Sequence, residues 1–276
     1  MCEPSLPNLL IIGAMKGGTS SLHDYLSLHP EIFMSDPKEI HYYADGDYNK
    51  QPIEWYKSFF KTDKKIVGTT PQSYTKCHNK YYKNIPERIK QHNPNVKMIY
   101  IVRDPIERYA SHILESYHCD PAHDIQYSIE SNNYLKTSMY YMQMEAFLKY
   151  FDLGQFHFLS LEGLAKNKLF ELNRIFDFLG VEKVNDEKVF DFISNDESTK
   201  VIPLIVKSKL LYRLGNKISP GLTSTIGAAV SKIFYKKLLT KPNLTVEKRE
   251  ELGQELKEDM GKFRSLTGLP FSEWSI

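Results

Sequence analysis

Short apolar runs alternate with segments of helical periodicity along most of the chain. The apolar runs at 8–13, 64–71, 96–105 and 156–164 end at glycine, proline or polar residues, which is typical of buried strands. Helical patterns follow most of these runs. This alternation predicts an α/β fold in which helices flank a central parallel sheet, within a single domain spanning 1–276.

The helical segments differ in how clearly they are bounded. We predict helices over about 19–29, 106–117 and 168–181, the last closed by Gly180. The clearest is the C-terminal helix over 245–267, which Thr245 can cap. Its apolar stripe consists of Leu252, Leu256, Phe263 and Leu266.

The segment 195–242 lacks such a pattern. Pro203 and Pro220 interrupt it, so we expect irregular structure with short helices that could cover a cofactor or an acceptor. Its part at 222–239 is the most membrane-like of the chain, but lysines interrupt it and predict an amphipathic helix. We therefore expect no integral membrane segment.

Composition narrows the possible partners. The chain has 276 residues, 41% hydrophobic and 25% charged, with a formal net charge of +2, so no overall field would attract nucleic acid. Cys2, Cys77 and Cys119 are scattered and form no C-x-x-C pair, which argues against structural zinc and for reduced thiols. With no signal-peptide pattern at the start, we expect a cytoplasmic protein.

The first strand runs into a glycine-rich turn in "NLLIIGAMKGGTSSLHDYL". Gly13 and Gly18 have the spacing of the two glycines in the P-loop pattern G-x-x-x-x-G-K-[ST], but Thr19 takes the lysine position and Ser20 the magnesium-binding one. The lysine lies inside the turn, as Lys16. The sequence therefore predicts a P-loop-like turn in which the usual lysine and its metal partner are absent.

Such a turn can still bind phosphate. Backbone N–H groups and a helix N-terminus attract anionic oxygens, and glycines allow close approach. We assign phosphate binding to Lys16, Gly17, Gly18, Thr19, Ser20 and Ser21. No acidic residue suited to magnesium follows a later strand, so we predict neutralisation by lysine and arginine and no metal.

A second anion site is indicated by "YIVRDPIERYASHI", where a strand ends in Arg103 and a helix carries Ser111. An arginine fork suits a phosphate. Taken alone the motif is weak, because Asp104 could cap the helix, and Arg103 or Arg108 could pair with an acid. Together, the two sites suggest a nucleotide with phosphates at both ends of its ribose.

These motifs resemble the PAPS-dependent sulfotransferases, in particular their bacterial and heparan-sulfate-type branch. "GAMKGGTSSL" resembles the 5′-phosphosulfate loop, "IVRDPIERYASHI" the 3′-phosphate motif, and "PKEIHYY" the segment that carries the general base. The resemblance covers nearly the whole chain and implies PAPS as donor and PAP as product. It fails in "VGTTPQSY", where Gly68 and Thr69 replace an acid and a lysine, which weakens a glycan assignment.

The resemblance also implies roles. Lys16 would stabilise the leaving phosphate, and Glu39 would be the base if partial burial raises its pKa, with His41 as second candidate. Glu39 could instead be a surface acid paired with Lys38, and His41 a structural histidine. Aromatic residues that could wall an acceptor pocket are Tyr42, Tyr43, Tyr140 and Tyr141.

The sequence thus predicts sulfuryl transfer from PAPS to a hydroxyl or amine of a small-molecule acceptor, such as a natural product or sugar-bearing metabolite. A P-loop kinase using ATP is the alternative enzyme, although it needs a correctly placed lysine and magnesium ligands. A third possibility is a protein that binds sulfated or phosphorylated ligands without turnover. No pattern in the sequence predicts the oligomeric state.

Overall fold

The protein is built around a parallel sheet. Its computed structural model describes residues 3–119, 125–191, 201–203, 235–237 and 244–276. The strands of the central sheet are β1 (Leu9–Gly13), β2 (Ile32–Met34), β3 (Ile66–Thr69), β4 (Lys97–Val102) and β5 (Phe156–Ser160).

Strand order places β1 in the middle of the sheet. The order is β2-β3-β1-β4-β5, and all four neighbouring pairs are parallel. The chain builds one half of the sheet through β2 and β3 and then crosses to β4 and β5. This reversal creates a crevice at the carboxyl ends of β1 and β4, where open α/β sheets bind ligands.

Helices connect the strands and cover both faces of the sheet. They are α1 (Thr19–Ser27), α2 (Asp45–Tyr48), α3 (Ile53–Lys57), α4 (Ile85–His92), α5 (Pro105–Cys119), α6 (Ile125–Glu130), α7 (Asn133–Ser138), α8 (Tyr140–Leu148), α9 (Leu161–Lys166), α10 (Lys168–Leu179) and α11 (Val246–Thr267). Short 3₁₀ turns lie at Leu153–Gln155 and Glu187–Phe190.

Alternate residues of the central strands divide the core into two clusters. In β1, Leu10 and Ile12 face the cluster that includes α8 and α11, whereas Leu9 and Ile11 face the one that includes α1 and α10. All four side chains are 0% exposed. A strand buried on both faces reads as a continuous apolar run, and the prediction of a parallel sheet is confirmed.

The strand and helix predictions hold for the longer elements. The predicted strand at 156–164 ends earlier, at Ser160, whose hydroxyl accepts a hydrogen bond from Gly163 N and begins α9. Strand β2 was not predicted, because three residues directly after Pro30 and Glu31 carry too little periodicity. Gly180 ends α10 in the left-handed conformation, as expected.

The segment 195–242 is described only in part. Two short strands, β6 (Val201–Pro203) and β7 (Tyr235–Lys237), form an antiparallel pair. The expectation of irregular structure with short helices is wrong for these residues, and so is the amphipathic helix where it includes 235–237. Residues 201–203 and 235–237 pair through their backbones instead of forming helices. The β-branched residues Val201 and Ile202 also favour a strand. The remainder of both predictions lies outside the described residues.

The C-terminal helix α11 is anchored to α8 by a buried carboxylate. Thr245 caps α11 by accepting a hydrogen bond from Lys248 N, as the sequence predicts. Asp259, 7% exposed, accepts hydrogen bonds from Tyr141 N at 3.0 Å and Met142 N at 2.9 Å, in the first turn of α8. Burial raises the pKa of Asp259 to about 6. This carboxylate satisfies N–H groups that a helix start otherwise leaves unpaired.

We expect Asp259→Ala to lower the free energy of unfolding by about 1–3 kcal/mol, because two buried N–H groups lose their acceptor. Urea denaturation at pH 7 measures the change. The matched control is Glu258→Ala, one residue earlier, where an 82% exposed side chain pairs with Lys262. Equal effects of the two substitutions would contradict the anchoring role.

Candidate active site

The predicted site residues follow the carboxyl ends of adjacent strands. Lys16 comes after β1, Glu39 and His41 after β2, and Arg103 after β4. The loop after β3 contributes Gln72, which lies between the first two groups. Because parallel strands present their carboxyl ends at one edge, the sheet gathers these side chains in one place.

The turn after β1 lies unusually close to β4. Ala14 N donates a hydrogen bond to Ile101 O at 2.6 Å, and a Cβ added to Gly17 would lie 2.6 Å from the same oxygen. Gly18 has φ +101°, which a side chain rarely allows, and a Cβ there would meet Leu161 at 2.7 Å. Packing therefore requires glycine at both positions, whether or not a phosphate binds there.

No side chain caps the start of α1. Gly18 is its N-cap residue, and the first turn that follows is the part of a helix whose backbone N–H groups favour an anion. Lys16 has φ 67°, a left-handed conformation that costs a non-glycine residue roughly 1–2 kcal/mol. Thr19, Ser20 and Ser21 follow as the first residues of the helix. The predicted strand–turn–helix geometry is present.

Lys16 forms an ion pair with a helix on the other side of the crevice. Its Nζ lies 3.2 Å from Glu115 Oε2 on α5, and the side chains are 15% and 27% exposed. A more strongly charged group, such as a phosphate, could take the place of Glu115 at Lys16.

Two hydrogen-bonded bridges join the phosphate turn to Glu39. Thr19 Oγ1 donates to Gln72 Oε1 at 3.2 Å, and Gln72 Nε2 donates to Glu39 Oε1 at 2.7 Å. Lys38 Nζ donates to Ser20 Oγ and lies 3.0 Å from Glu39 Oε1. Glu39, the candidate base, is thus held at a fixed position relative to the phosphate turn.

The electrostatics of Glu39 differ from the expectation. Burial would raise the pKa of its carboxyl, but hydrogen bonds from His41 and Lys38 outweigh burial and lower the pKa to about 2. The expected upward shift is therefore wrong for the ligand-free protein. The pairing with Lys38, considered as an alternative, is present, yet Glu39 also contacts the phosphate turn through that lysine.

His41 supports the carboxylate. Its Nε2 lies 3.2 Å from Glu39 Oε2. Its Nδ1 is buried and has no hydrogen-bond partner within the described part of the chain. The two side chains are similarly exposed, at 31% for His41 and 28% for Glu39, but the Nδ1 atom of His41 is itself buried.

The turn after β4 is held by side chains around Arg103. Tyr140 Oη donates to Arg103 O at 2.7 Å. Asp104 Oδ1 accepts hydrogen bonds from Ile106 N at 2.9 Å and Glu107 N at 3.1 Å, so Asp104 is the helix cap that the sequence left open. The backbone is satisfied locally, and the Arg103 guanidinium has no ion-pair partner among the residues described.

One face of α5 lies against the phosphate turn. Arg108 is 0% exposed and donates to Met15 O at 3.3 Å, and Glu115, seven residues on, contacts Lys16. Ser111 lies between them on this face at i+3, and it is 1% exposed. Burial lowers the pKa of Arg108 to about 10. The suggested pairing of Arg108 with an acid is wrong, since its other partners are Ser138, Tyr134 and His112.

Several residues of the site were not predicted. Gln72, Glu115 and the bridging role of Lys38 depend on contacts between loops that are distant in sequence. The proposed aromatic wall is wrong for Tyr42, Tyr43 and Tyr140, which are at most 3% exposed and belong to the core. Only the "KE" pair before His41 could have pointed to Lys38.

The described residues contain neither a candidate metal centre nor a candidate membrane span. No group of three or more histidine, cysteine, aspartate or glutamate side chains there could hold a metal ion. No helix there is long and apolar enough to cross a membrane.

The architecture defines a phosphate-binding α/β protein, and comparison with known families refines this class. The family described as "Sulfotransferase domain" matches residues 6–264. The chain belongs to the sulfotransferase family. This membership favours sulfuryl transfer over the kinase that the sequence left as an alternative.

Curated relatives support the same family. The chain is 31% identical over 193 residues to heparan sulfate glucosamine 3-O-sulfotransferase 5 of Mus musculus, covering 64% of this chain and 54% of that protein. It is 29% identical over 218 residues to the 3B1 enzyme of Mus musculus, covering 74% and 53%. The chain thus spans about half the length of the curated relatives it matches.

Solved structures share the fold. A sulfotransferase from Alicyclobacillus acidocaldarius superposes with a TM-score of 0.67 at 19% identity, covering 99% of this chain and all of that one. The sulfotransferase domain from the curacin biosynthetic pathway gives 0.50 at 14% identity, covering 93% and 99%. At these identities the likeness establishes the fold.

We expect Lys38→Met to raise the pKa of Glu39 from about 2 toward its ordinary 4.5, because the carboxylate loses a cation and a hydrogen bond. The sign follows from the charge: without Lys38, protonation of the carboxyl becomes easier. Carbon-13 NMR of glutamate-labelled protein measures the midpoint, with Glu39→Gln to assign the signal. Exposed Lys50→Met is the control, and an unmoved midpoint in Lys38→Met would contradict the bridge.

Proposed function

We propose that the protein transfers a sulfuryl group from PAPS to a hydroxyl or amine of a small-molecule acceptor, with release of PAP. The observation that carries this proposal is the double bridge between phosphate turn and carboxylate. Thr19 reaches Glu39 through Gln72, and Ser20 reaches it through Lys38. A transferase needs this coupling of donor and base, whereas a protein that only binds anions has no use for the base.

The donor phosphates are assigned to two places. The first turn of α1 and Lys16 would hold the 5′-phosphate, and Arg103 with Ser111 the 3′-phosphate. Lys16 would leave Glu115 and donate toward the bridging oxygen, where negative charge develops as the bond to sulfur breaks. The phosphate would thereby replace the carboxylate of Glu115 as the partner of Lys16.

The acceptor proton is assigned to Glu39, with His41 as the second candidate. Two observations support this order: Glu39 holds the contacts with Gln72 and Lys38 that lead to the phosphate turn, and His41 has Nε2 against Glu39 and Nδ1 buried. Lys38 lies within reach of the donor site. If the donor draws Lys38 away, Glu39 loses one of the contacts that lower its pKa and becomes a stronger base.

We infer the acceptor class from the curated relatives and from one position, Thr69, at which this chain differs from the family motif. Enzymes named as glucosamine 3-O-sulfotransferases are among the curated relatives, which supports a sugar hydroxyl. Thr69, where the sequence comparison expected a lysine, is buried and contacts Ser35 and the backbone of Lys38. We therefore favour a small natural product or sugar-bearing metabolite over a long sulfated glycan.

We expect purified protein and PAPS to sulfate a component of a small-molecule library enriched in glycosides, read by mass spectrometry as a gain of one sulfuryl group. Formation of PAP should accompany the gain and persist with EDTA, because Lys16 and α1 take the place of a metal. Lys16→Ala should lower kcat by roughly a hundred- to a thousandfold. ATP-dependent phosphorylation of the same library, abolished by EDTA, would instead support a kinase.

The control for Lys16→Ala is Lys50→Ala, an exposed lysine far along the chain. It should retain the wild-type rate. Near-normal turnover by Lys16→Ala would remove Lys16 from the mechanism.

We expect Glu39→Gln to reduce kcat by about 10²–10⁴-fold while the Kd for PAP stays within a small factor. The amide keeps the shape and can still accept from Gln72 or Lys38, but it cannot take a proton. Steady-state kinetics and calorimetric titration with PAP separate the two effects. His41→Gln is the paired variant, and a larger loss of kcat there would transfer the base role to His41.

A further inference from the structure

Lys76 is a buried lysine beside the phosphate turn. It follows β3 in the loop that also carries Gln72, and it is 9% exposed. Its Nζ lies 3.8 Å from the thioether sulfur of Met15, at the tip of the turn. No oxygen atom among the described residues accepts a hydrogen bond from this ammonium group.

The neighbours of Lys76 cannot compensate its charge. Arg108 is buried nearby, and its own hydrogen bonds go to neutral acceptors. His78 has both ring nitrogens engaged, with Gln143 and Asn133, and burial lowers its pKa to about 4.

His112 is also uncharged at neutral pH, since burial and then Arg108 lower its pKa well below the ordinary value. The carboxylate on this face of α5, Glu115, is paired with Lys16. The surroundings of Lys76 therefore carry positive charge in excess.

A buried ammonium group whose only acceptor is a weak one, the Met15 thioether, destabilises the folded protein. An unsatisfied buried polar group costs about 1–3 kcal/mol, and a charged one more. Burial, followed by repulsion from Arg108, lowers the pKa of Lys76 to about 8. A residue kept at such a cost is explained if a ligand supplies the missing acceptor.

The position of Lys76 indicates where that ligand binds. In the sheet, β3 lies between β2, which precedes Glu39, and β1, which precedes Lys16. The loop after β3 contacts Glu39 through Gln72, and it contacts the phosphate turn through Lys76 at Met15. Lys76 lies beside the interval in which donor and acceptor would meet.

We propose that Lys76 forms an oxyanion subsite between the phosphate turn and Glu39, separate from the positions of the two nucleotide phosphates. The proposal rests on the proposed sulfuryl transfer for its setting. The ligand is a sulfate-like or carboxylate-like group with oxygen acceptors for the ammonium. Its source is either the sulfuryl group of the donor or an anionic substituent of the acceptor.

The test measures binding of inorganic sulfate to protein saturated with PAP, by calorimetric titration. PAP occupies both phosphate positions, so sulfate reports the remaining oxyanion site. Lys76→Met should weaken sulfate binding by roughly tenfold or more, the loss expected for a charge-assisted hydrogen bond. It should leave the Kd for PAP within about twofold, and it should raise Tm, because an unpaired buried charge is replaced by an apolar chain of similar length.

Lys80→Met, four residues on in the same loop, is the control, since Lys80 is exposed and lies over the ring of Tyr81. It should change neither sulfate binding nor Tm. Unchanged sulfate binding in Lys76→Met, an equal loss in the control, or weakening of PAP to the same extent would overturn the proposal. If Lys76→Met does not fold, Lys76→Gln replaces it, and a lower Tm with unchanged sulfate affinity would mark Lys76 as purely structural.

The source of the oxyanion is decided by comparing PAPS with PAP. If Lys76→Met weakens the binding of PAPS but not that of PAP, the subsite is assigned to the sulfuryl group. Unchanged PAPS affinity together with lost sulfate binding assigns it to the acceptor. These outcomes are distinct from failure of the proposed function, which would appear as absent sulfuryl transfer in the wild-type protein.

Discussion

The close approach of the β1–α1 turn to the carbonyl of Ile101 is the contact on which the site depends. Ala14 N donates to this oxygen at 2.6 Å, and Gly17 packs where a Cβ would lie 2.6 Å from it. The turn is therefore held against β4 just before α1 begins at Thr19. Lys16, in its left-handed conformation, is directed across the crevice to α5.

The site of the ligand-free protein is a set of charges that are only partly balanced. Lys16 is paired with Glu115, and Lys38 with Glu39, so each candidate reacting group is held by a partner of opposite charge. Lys76 has no such partner among the described residues. An incoming anion can therefore exchange with a carboxylate at Lys16 and can satisfy the ammonium of Lys76. Both changes favour binding of anionic ligands, and the first also alters the surroundings of the proposed catalytic groups.

Sequence reasoning succeeded where chemistry and local pattern coincide. The turn after β1 was predicted because its glycines, hydroxyls and lysine are contiguous, and the central strands because they are apolar throughout. Gln72, Glu115 and Lys76 act through neighbours that are between 33 and 99 positions away in sequence. Their roles follow from strand order, which places the loop after β3 between two others. The reversed pKa shift of Glu39 has the same origin, since it depends on how many donors surround one carboxylate.

The burial of Tyr42 and Tyr43 changes how acceptor selectivity should be considered. These rings pack with Tyr56 and Tyr74 in the core beneath the loop that carries Glu39. Tyr74 also donates to Ile40 O and accepts from Tyr43 N, so the aromatic cluster holds the backbone on both sides of His41. Its role is to keep the base in place. Recognition of an acceptor then falls to polar groups of the crevice, among them Gln72, which accepts from Thr19, and Lys76, which contacts Met15. An acceptor that presents an oxyanion beside its attacking hydroxyl would match both the charge and the position of these groups.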